Sequence, residues 1–251
     1  MILPVLLSAL LQAAAAPSAE VQLQPLKLVD DFACTADSRW CVGLLEGAAG
    51  DDTAVRPVVR ADLSALPGAT GDVSYGQETY QPWTSLMSLA DGGFLAGVDV
   101  GSSAMYSGGG GQASTVALYR LDAAGDAMGG PVLTVPLMSS VLIRACFGEK
   151  DMKQRAGACH DEYSFEGKLT AAPNAGSGVM PTLIYATAAT AFPRGVSRSK
   201  DSLENPPLKP ADLVATRDPT CSFERRFTFD AATGVYQPDR PLPDCSDYTV
   251  P

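Results

Sequence analysis

Apolar and polar residues alternate with a period of two along much of the chain. The clearest stretch is residues 162–170, where Tyr163, Phe165 and Leu169 fall on one face and mostly charged or polar residues on the other. Such alternation predicts β-strands that are buried on one face. Less regular stretches predict further strands at residues 41–45, 55–60, 86–89, 94–100, 115–121, 132–137, 141–146 and 182–190. The last of these is continuously small and apolar, so we expect it to be buried on both faces.

Turn-forming residues separate these predicted strands. Residues 90–93, 122–126 and 230–234 each combine Asp with Gly, which favours tight turns. Strands joined by such short turns pair antiparallel. Residues 101–111, which include Ser102, Ser103, Ser107 and four consecutive glycines, and residues 193–210 are predicted to be long loops.

Helical periodicity is nearly absent, since only residues 150–155 and 210–214 predict short helical turns. We therefore expect an all-β fold of antiparallel sheets joined by hairpins, either sandwich-like or barrel-like, with a small propeller as the alternative. About 230 residues remain after a leader segment, and no stretch resembles a long linker. The prediction is therefore one β-rich domain over residues 20–251.

The predicted leader is residues 1–19, which contain no charged side chain. An apolar run over residues 2–11 continues into the alanines at 13–16, as in a secretory signal peptide, although no Lys or Arg precedes it. A membrane span would need about twenty apolar residues, and this run is shorter. We expect a signal peptide and a mature chain that is periplasmic or secreted.

The six cysteines form three close couples along the chain: Cys34 and Cys41, Cys146 and Cys159, and Cys221 and Cys245. An even number of cysteines after a leader predicts disulfides. We favour local pairing, because a predicted hairpin over residues 223–236 brings Cys245 back towards Cys221. The chain has no C-x-x-C motif and a single histidine, so neither a metal nor a cofactor is expected.

The formal net charge is −10. Nucleic-acid binding requires a basic face, so nucleic acid is not an expected partner. Arg194, Arg198 and Lys200 nevertheless crowd one predicted loop. With the three cations of residues 150–155 they would form an anion-binding patch if the two segments lie together, and a solvated loop is the simpler interpretation.

His160 is the one histidine, and Glu162 follows two residues later. A histidine near carboxylates can act as a general base, which makes His160 and Glu162 the candidate catalytic residues. A surface loop closed by a bridge at Cys159 is the favoured interpretation, because adjacent residues of a strand point to opposite faces. The serines of residues 101–111 lack the surroundings of a nucleophile or phosphate loop.

Two resemblances add to this picture. Residues 121–125 and 229–236 resemble hairpins of β-propeller repeats, which implies hairpins there and says nothing about a cofactor. Residues 143–148, 159–163 and 241–248 resemble uncharacterised exported proteins of Gram-negative bacteria. That resemblance implies export and bridging cysteines, and it implies no activity.

We therefore expect a non-enzymatic exported domain that binds or supports a partner in the cell envelope or outside the cell. One alternative is an extracytoplasmic hydrolase whose acid–base residues converge only in the fold. A deep pocket with convergent carboxylates would favour that enzyme. Another alternative is a subunit of an envelope assembly, which a large exposed apolar patch would favour.

Overall fold

The computed structural model describes residues 23–46, 55–66, 73–75, 78–173 and 179–251, so the signal peptide predicted at residues 1–19 lies outside them. The strands are β1 (Gln24–Pro25), β2 (Lys27–Val29), β3 (Phe32–Cys34), β4 (Cys41–Glu46), β5 (Val55–Arg60), β6 (Val73–Tyr75), β7 (Glu78–Ser88), β8 (Phe94–Tyr106), β9 (Gly109–Leu121), β10 (Leu133–Ile143), β11 (Asp161–Ala171), β12 (Leu183–Phe192), β13 (Thr216–Arg217), β14 (Glu224–Asp230) and β15 (Val235–Pro238). The helices are α1 (Glu149–Gln154) and α2 (Ser246–Thr249), with 3-10 turns at Leu63–Ala65, Ser202–Glu204 and Pro210–Asp212.

These strands form two antiparallel sheets. The larger sheet has eleven strands in the order β1-β7-β8-β9-β10-β11-β12-β14-β15, with β6 beside β7 and β13 beside β12. The smaller sheet has the order β2-β3-β4-β5. Among the described strands, β1 and β15 do not pair with each other, so the larger sheet is open. The predicted all-β, antiparallel fold is confirmed in its sandwich-like form, not as a closed barrel.

The smaller sheet packs against the first part of the larger one. Strand β5 contacts β8 and β9, and β3 and β4 contact β7. Val42 and Val59 from the smaller sheet share an apolar cluster with Phe94 and Val98 from β8. A second cluster joins strands β7 to β12 with β14 and β15 and includes the fully buried Phe165. Side chains at alternate positions of the strands form both clusters, as the sequence pattern predicts.

The prediction of a loop at residues 101–111 is wrong. Strands β8 and β9 pair without interruption up to a turn at residues 107–108, where Gly108 has φ +85°. The glycines allow neighbouring chains to approach closely. A Cβ atom on Gly109 would lie 2.0 Å from the carbonyl oxygen of Leu142, and one on Gly101 would lie 2.5 Å from Oγ1 of Thr79. The glycine-rich composition predicts a loop, whereas Gly101 and Gly109 are small residues that the close approach of neighbouring groups requires within a strand.

Two further strand predictions need correction. Residues 132–137 and 141–146 were predicted as separate strands, but β10 runs through both and accommodates a register shift between Pro136 and Met138. The shift is a bulge, which lets one strand bend without ending. Strand β12 alternates between buried and partly buried positions, so it is not buried on both faces. Predicted helical turns at residues 150–155 and 210–214 correspond to α1 and a 3-10 turn.

All three predicted disulfides form. Cys34–Cys41 links β3 to β4, Cys146–Cys159 closes the segment that carries α1, and Cys221–Cys245 ties the C-terminal region to the start of β14. Each bridge stabilises a chain by about 2–4 kcal/mol, chiefly by constraining the unfolded state. Three such bridges are typical of proteins in oxidising, extracytoplasmic compartments. In the described parts of the chain, no helix has the length and apolar character to cross a membrane.

Candidate functional site

A cavity of about 270 Å³ lies where β7, β8, β9 and β10 run side by side. Alternate positions on these strands place their side chains on the same face. The residues of that face that line the cavity, which we call the polar face, are Thr79, Gln81, Asp99, Gly101, Ser103, Gln112, Ser114 and Met138. Thr79, Gly101 and Ser114 lie directly opposite one another on three adjacent strands, and Met138 continues this row on β10.

The polar face carries hydrogen-bonding groups around a single formal charge. Its side chains supply the hydroxyls of Thr79, Ser103 and Ser114 and two glutamine amides, all of which can both donate and accept. Asp99 provides the carboxylate. Of the described residues that line the cavity, none is Lys, Arg or His. The face can therefore form many directional contacts, but it supplies no cation for its own carboxylate.

Asp99 lies at the boundary between the polar face and the core. It stands opposite Gln81 on β7 and opposite the fully buried Val116 on β9. Its Oδ1 atom is buried and has no hydrogen-bond partner among the described residues. Burial raises the pKa of Asp99, and a hydrogen bond from Ser114 opposes that shift. Desolvation disfavours the charged form, so the surroundings hold a carboxylate that is short of partners.

The shape of the cavity follows from Gly101 and from two irregularities in the strands. Gly101 has no side chain, and the Thr79 hydroxyl lies in the space that a side chain there would take, 2.5 Å from the position of a Cβ atom. The pairing register shifts in β7 between Pro82 and Leu86, and in β10 near Met138. Bulges bend strands and re-aim side chains, and they occur often beside functional sites.

A second cavity of about 270 Å³ lies near the turn between β3 and β4, and its lining includes Asp37, Arg39, Trp40 and Phe94. Its charged groups contact other residues of the same turn. Asp37 accepts hydrogen bonds from the Thr35 hydroxyl and the Arg39 backbone N–H, which lower the pKa of Asp37. The Arg39 guanidinium lies over the Trp40 ring, 5.7 Å from its centroid. Because these groups are already engaged, the polar face is the better candidate site.

His160 and Glu162 are not part of the polar face. His160 is partly buried next to the Cys146–Cys159 bridge, and Glu162 is exposed on β11. Glu162 stands opposite Leu142 and Phe192, so neither neighbouring strand places an acid–base partner beside it at that register position. A catalytic role for His160 or Glu162 stays a prediction from the sequence.

Asp161, which lies between them, is the centre of a buried ion network. It is fully buried, and its carboxylate accepts hydrogen bonds from Arg144 at 2.6 Å and from Arg155. Arg155 is itself only 3% exposed. Arg144 also donates to the backbone carbonyl of Arg198. These contacts fasten the ends of β10 and β11 to the α1 segment and to residues 193–210, so Asp161 has a structural role.

Two cations of the possible anion-binding patch have partners within the protein. The two segments do lie together, because the Gln154 side chain donates to the backbone carbonyl of Leu203. Arg155, however, is buried against Asp161. Arg198 donates to the carbonyl oxygen of Val250 at 2.6 Å and so holds the C-terminal segment. Anion binding by the exposed Arg194 and Lys200, with Arg198, stays a prediction.

Sequence reasoning missed the polar face because it treated residues 101–111 as a loop. A signal was present in the alternation. Asp99, Gly101 and Ser103 continue the parity of the predicted strand at residues 94–100, and Gln112 and Ser114 continue that of residues 115–121. Extending both strands to a turn at residues 107–108 would have placed all five residues on one face.

The comparisons with known proteins found no matching protein-family model, no matching curated protein and no matching solved structure. The functional argument therefore depends on the geometry of the polar face, and no family can be assigned to the chain from these comparisons.

Proposed function

We propose that this chain is an exported, non-enzymatic binding domain of the cell envelope and that its ligand binds on the polar face. One observation carries the proposal. Asp99 has a buried carboxylate oxygen without a partner, at a cavity lined by hydroxyl and amide groups. Of the described buried polar atoms without a partner, Asp99 Oδ1 is the one at this cavity, and a bound ligand is one way in which such an atom is satisfied.

The proposal of export has its own support. The apolar segment before residue 20 has the character of a signal peptide. All six cysteines are paired in bridges, which suits an oxidising compartment outside the cytoplasm.

The lining of the cavity favours binding over hydrolysis. Glycoside hydrolysis ordinarily uses two facing carboxylates, and nucleophilic catalysis requires a base next to the nucleophile. Asp99 is the one acidic or basic side chain among the described residues that line the cavity. Many neutral hydrogen-bonding groups around one charge are suited to holding a polar ligand in a fixed orientation.

A second candidate, a subunit of an envelope assembly, is favoured by exposed apolar residues near the tip of the β8–β9 hairpin. Met105 is 88% exposed and Phe147 is 75% exposed. The Phe147 ring lies beside Gly108, with Cζ 3.0 Å from the position of a Cβ on that glycine. A double substitution, Met105→Ser with Phe147→Ser, would weaken an assembly through this tip and leave binding on the polar face intact.

The test uses immobilised, mature, oxidised protein and solubilised envelope material. Ser103→Arg places a long cationic side chain over the cavity from an exposed position. The matched control is Ser164→Arg, at a serine that is also exposed and lies on β11, outside the cavity. We expect Ser103→Arg to reduce the amount of captured material by about tenfold, which corresponds to about 1.4 kcal/mol of binding free energy, and Ser164→Arg to leave it unchanged. Equal capture by both variants would rule out the polar face.

A further inference from the structure

We propose that the ligand of the polar face carries a protonated amine next to hydroxyl groups, the chemistry of an unacetylated amino sugar. This inference depends on the proposed function, because it names the class of ligand for the same site. It goes further by assigning Asp99 as the group that distinguishes an amine from a neutral hydroxyl.

The charge of the site argues for a cationic ligand. A carboxylate that is partly removed from water is unfavourable unless it is paired. The fully buried Asp161 has two arginines, whereas no cation of the described chain lines the cavity at Asp99. An ammonium group from the ligand would provide both the missing counter-charge and a donor for the unpartnered oxygen. A neutral ligand would leave the charge unmatched.

The rest of the lining argues for an organic amine that also bears hydroxyl groups. Thr79, Ser103 and Ser114 supply hydroxyls, and Gln81 and Gln112 supply amides. These groups donate and accept equally well, which matches ligand hydroxyls. A bare divalent cation is less suitable, because calcium sites use several carboxylate or carbonyl ligands. The described residues contain no group of three acidic, cysteine or histidine side chains placed to hold a metal.

The size of the cavity is suited to a small group. Pockets for drug-sized molecules enclose roughly 300–1,000 Å³. The cavity of the polar face encloses about 270 Å³. One sugar ring, either free or at the end of a longer chain, is therefore the appropriate size.

Binding should depend on pH, because the amine must be protonated and Asp99 ionised. Burial raises the pKa of Asp99, so the affinity should fall as the pH is lowered through that raised value. Other titratable groups are few near the site. Glu78 on β7 lies at an alternate position, on the opposite face from Thr79, and Glu166 on β11 stands opposite Met138. Strands β9 and β10 contribute no acidic or basic side chain to the cavity lining.

The experiment is a calorimetric titration of the mature, oxidised protein with glucosamine and with glucose. Glucosamine carries an amine at the one position where glucose carries a hydroxyl instead. We expect glucosamine to bind at least about tenfold more tightly than glucose. Asp99→Asn should abolish that preference without weakening the binding of glucose. The control Glu166→Gln removes a carboxylate from the neighbouring region of the same sheet and should leave the preference intact.

Three outcomes would overturn the ligand class. They are equal affinity for glucose and glucosamine, no saturable binding of glucosamine, and an unchanged preference in Asp99→Asn. A parallel titration with calcium chloride tests the metal alternative, because saturable calcium binding that Asp99→Asn removes would also contradict the proposal. Tighter binding of a glucosamine disaccharide than of the monosaccharide would indicate a chain end as the source of the ligand, and equal binding would indicate a free sugar.

The two proposals fail separately. If Ser103→Arg loses envelope capture but glucosamine does not bind, the ligand class is wrong and the binding face stands. If Ser103→Arg captures as much as the wild type, the binding face itself is wrong.

Discussion

Asp99 and Asp161 are both withdrawn from water, but their surroundings treat the negative charge in opposite ways. Asp161 accepts hydrogen bonds from two guanidinium groups and is completely enclosed. Asp99 has one neutral partner, Ser114, and an oxygen without any partner among the described residues. The first arrangement stabilises a fold, whereas the second leaves a carboxylate oxygen that, under the proposed function, a ligand would pair. Substitutions at the two positions should therefore have opposite effects on stability.

We expect Asp99→Asn to stabilise the free protein. An unsatisfied, desolvated group costs about 1–3 kcal/mol, and Asp99 is only partly buried, so the gain at neutral pH should be about 1 kcal/mol. The raised pKa means that the folded wild type takes up a proton more readily than the unfolded chain as the pH falls. The wild type therefore recovers stability below that pKa, and the advantage of the variant shrinks.

Urea unfolding of both proteins at neutral and acidic pH checks this expectation. A loss of stability in Asp99→Asn at neutral pH would show that the carboxylate has a structural partner. A difference that does not change with pH would show that ionisation of Asp99 does not contribute to it.

We expect Asp161→Asn to destabilise the protein by about 3 kcal/mol, because it leaves the buried Arg155 without a counter-charge. The control is Asp126→Asn, which breaks an exposed ion pair with Arg60 at 2.6 Å. Exposed pairs contribute about 0–1 kcal/mol, so this control should change little. Chemical unfolding monitored by fluorescence measures both, and equal effects of the two substitutions would contradict the structural role of Asp161.

At the scale of elements, the strand pattern was predictable where alternation was strong. Residues 162–170 became part of β11, and Tyr163, Phe165 and Leu169 are buried as the pattern indicates. The glycine-rich half of the β8–β9 hairpin was not predictable from composition, because glycine is common both in loops and where chains approach closely. The polar face lies in that half of the hairpin, so the candidate site was missed together with the strands.

Gly109 allows a test of the inference that these glycines let neighbouring strands approach closely. Ala at this position would place Cβ 2.0 Å from the Leu142 carbonyl oxygen, so β9 and β10 would have to move apart. We expect Gly109→Ala to destabilise the protein by about 1–3 kcal/mol, the usual range for overpacking. Gly130→Ala is the control, because nothing lies within 4 Å of its Cβ position. Thermal unfolding compares them, and an unchanged midpoint for Gly109→Ala would contradict the close approach.

The buried ion network could not be predicted from sequence for a different reason. Arg144, Arg155 and Asp161 lie at the ends of different elements, and only the return of the chain through the Cys146–Cys159 bridge brings them together. Local patterns report which face a residue occupies, not which distant charges meet there. The same limit applies to Asp99, which has one carboxylate oxygen without a hydrogen-bond partner among the described residues.

At the scale of the whole molecule, three local disulfides and two apolar clusters support one long open sheet. The bridges lie in the smaller sheet, beside α1 and at the C-terminal region, so none of them crosses the polar face. The polar face lies on β7 to β10, each of which has a paired strand on both sides. Its neighbours in the sheet fix its geometry before any ligand arrives, and such pre-organisation lowers the ordering cost of binding.

Methionine oxidation in the presence of envelope material tests the binding face most directly. Met138 lines the cavity and is 39% exposed, whereas Met128 and Met152 are 60% and 53% exposed and do not line it. Peroxide converts accessible methionines to sulfoxides, which mass spectrometry counts site by site. If the ligand covers the polar face, oxidation of Met138 should slow by at least about threefold while that of Met128 and Met152 is unchanged. The account would be contradicted if Met128 or Met152 were protected while Met138 was oxidised at its original rate.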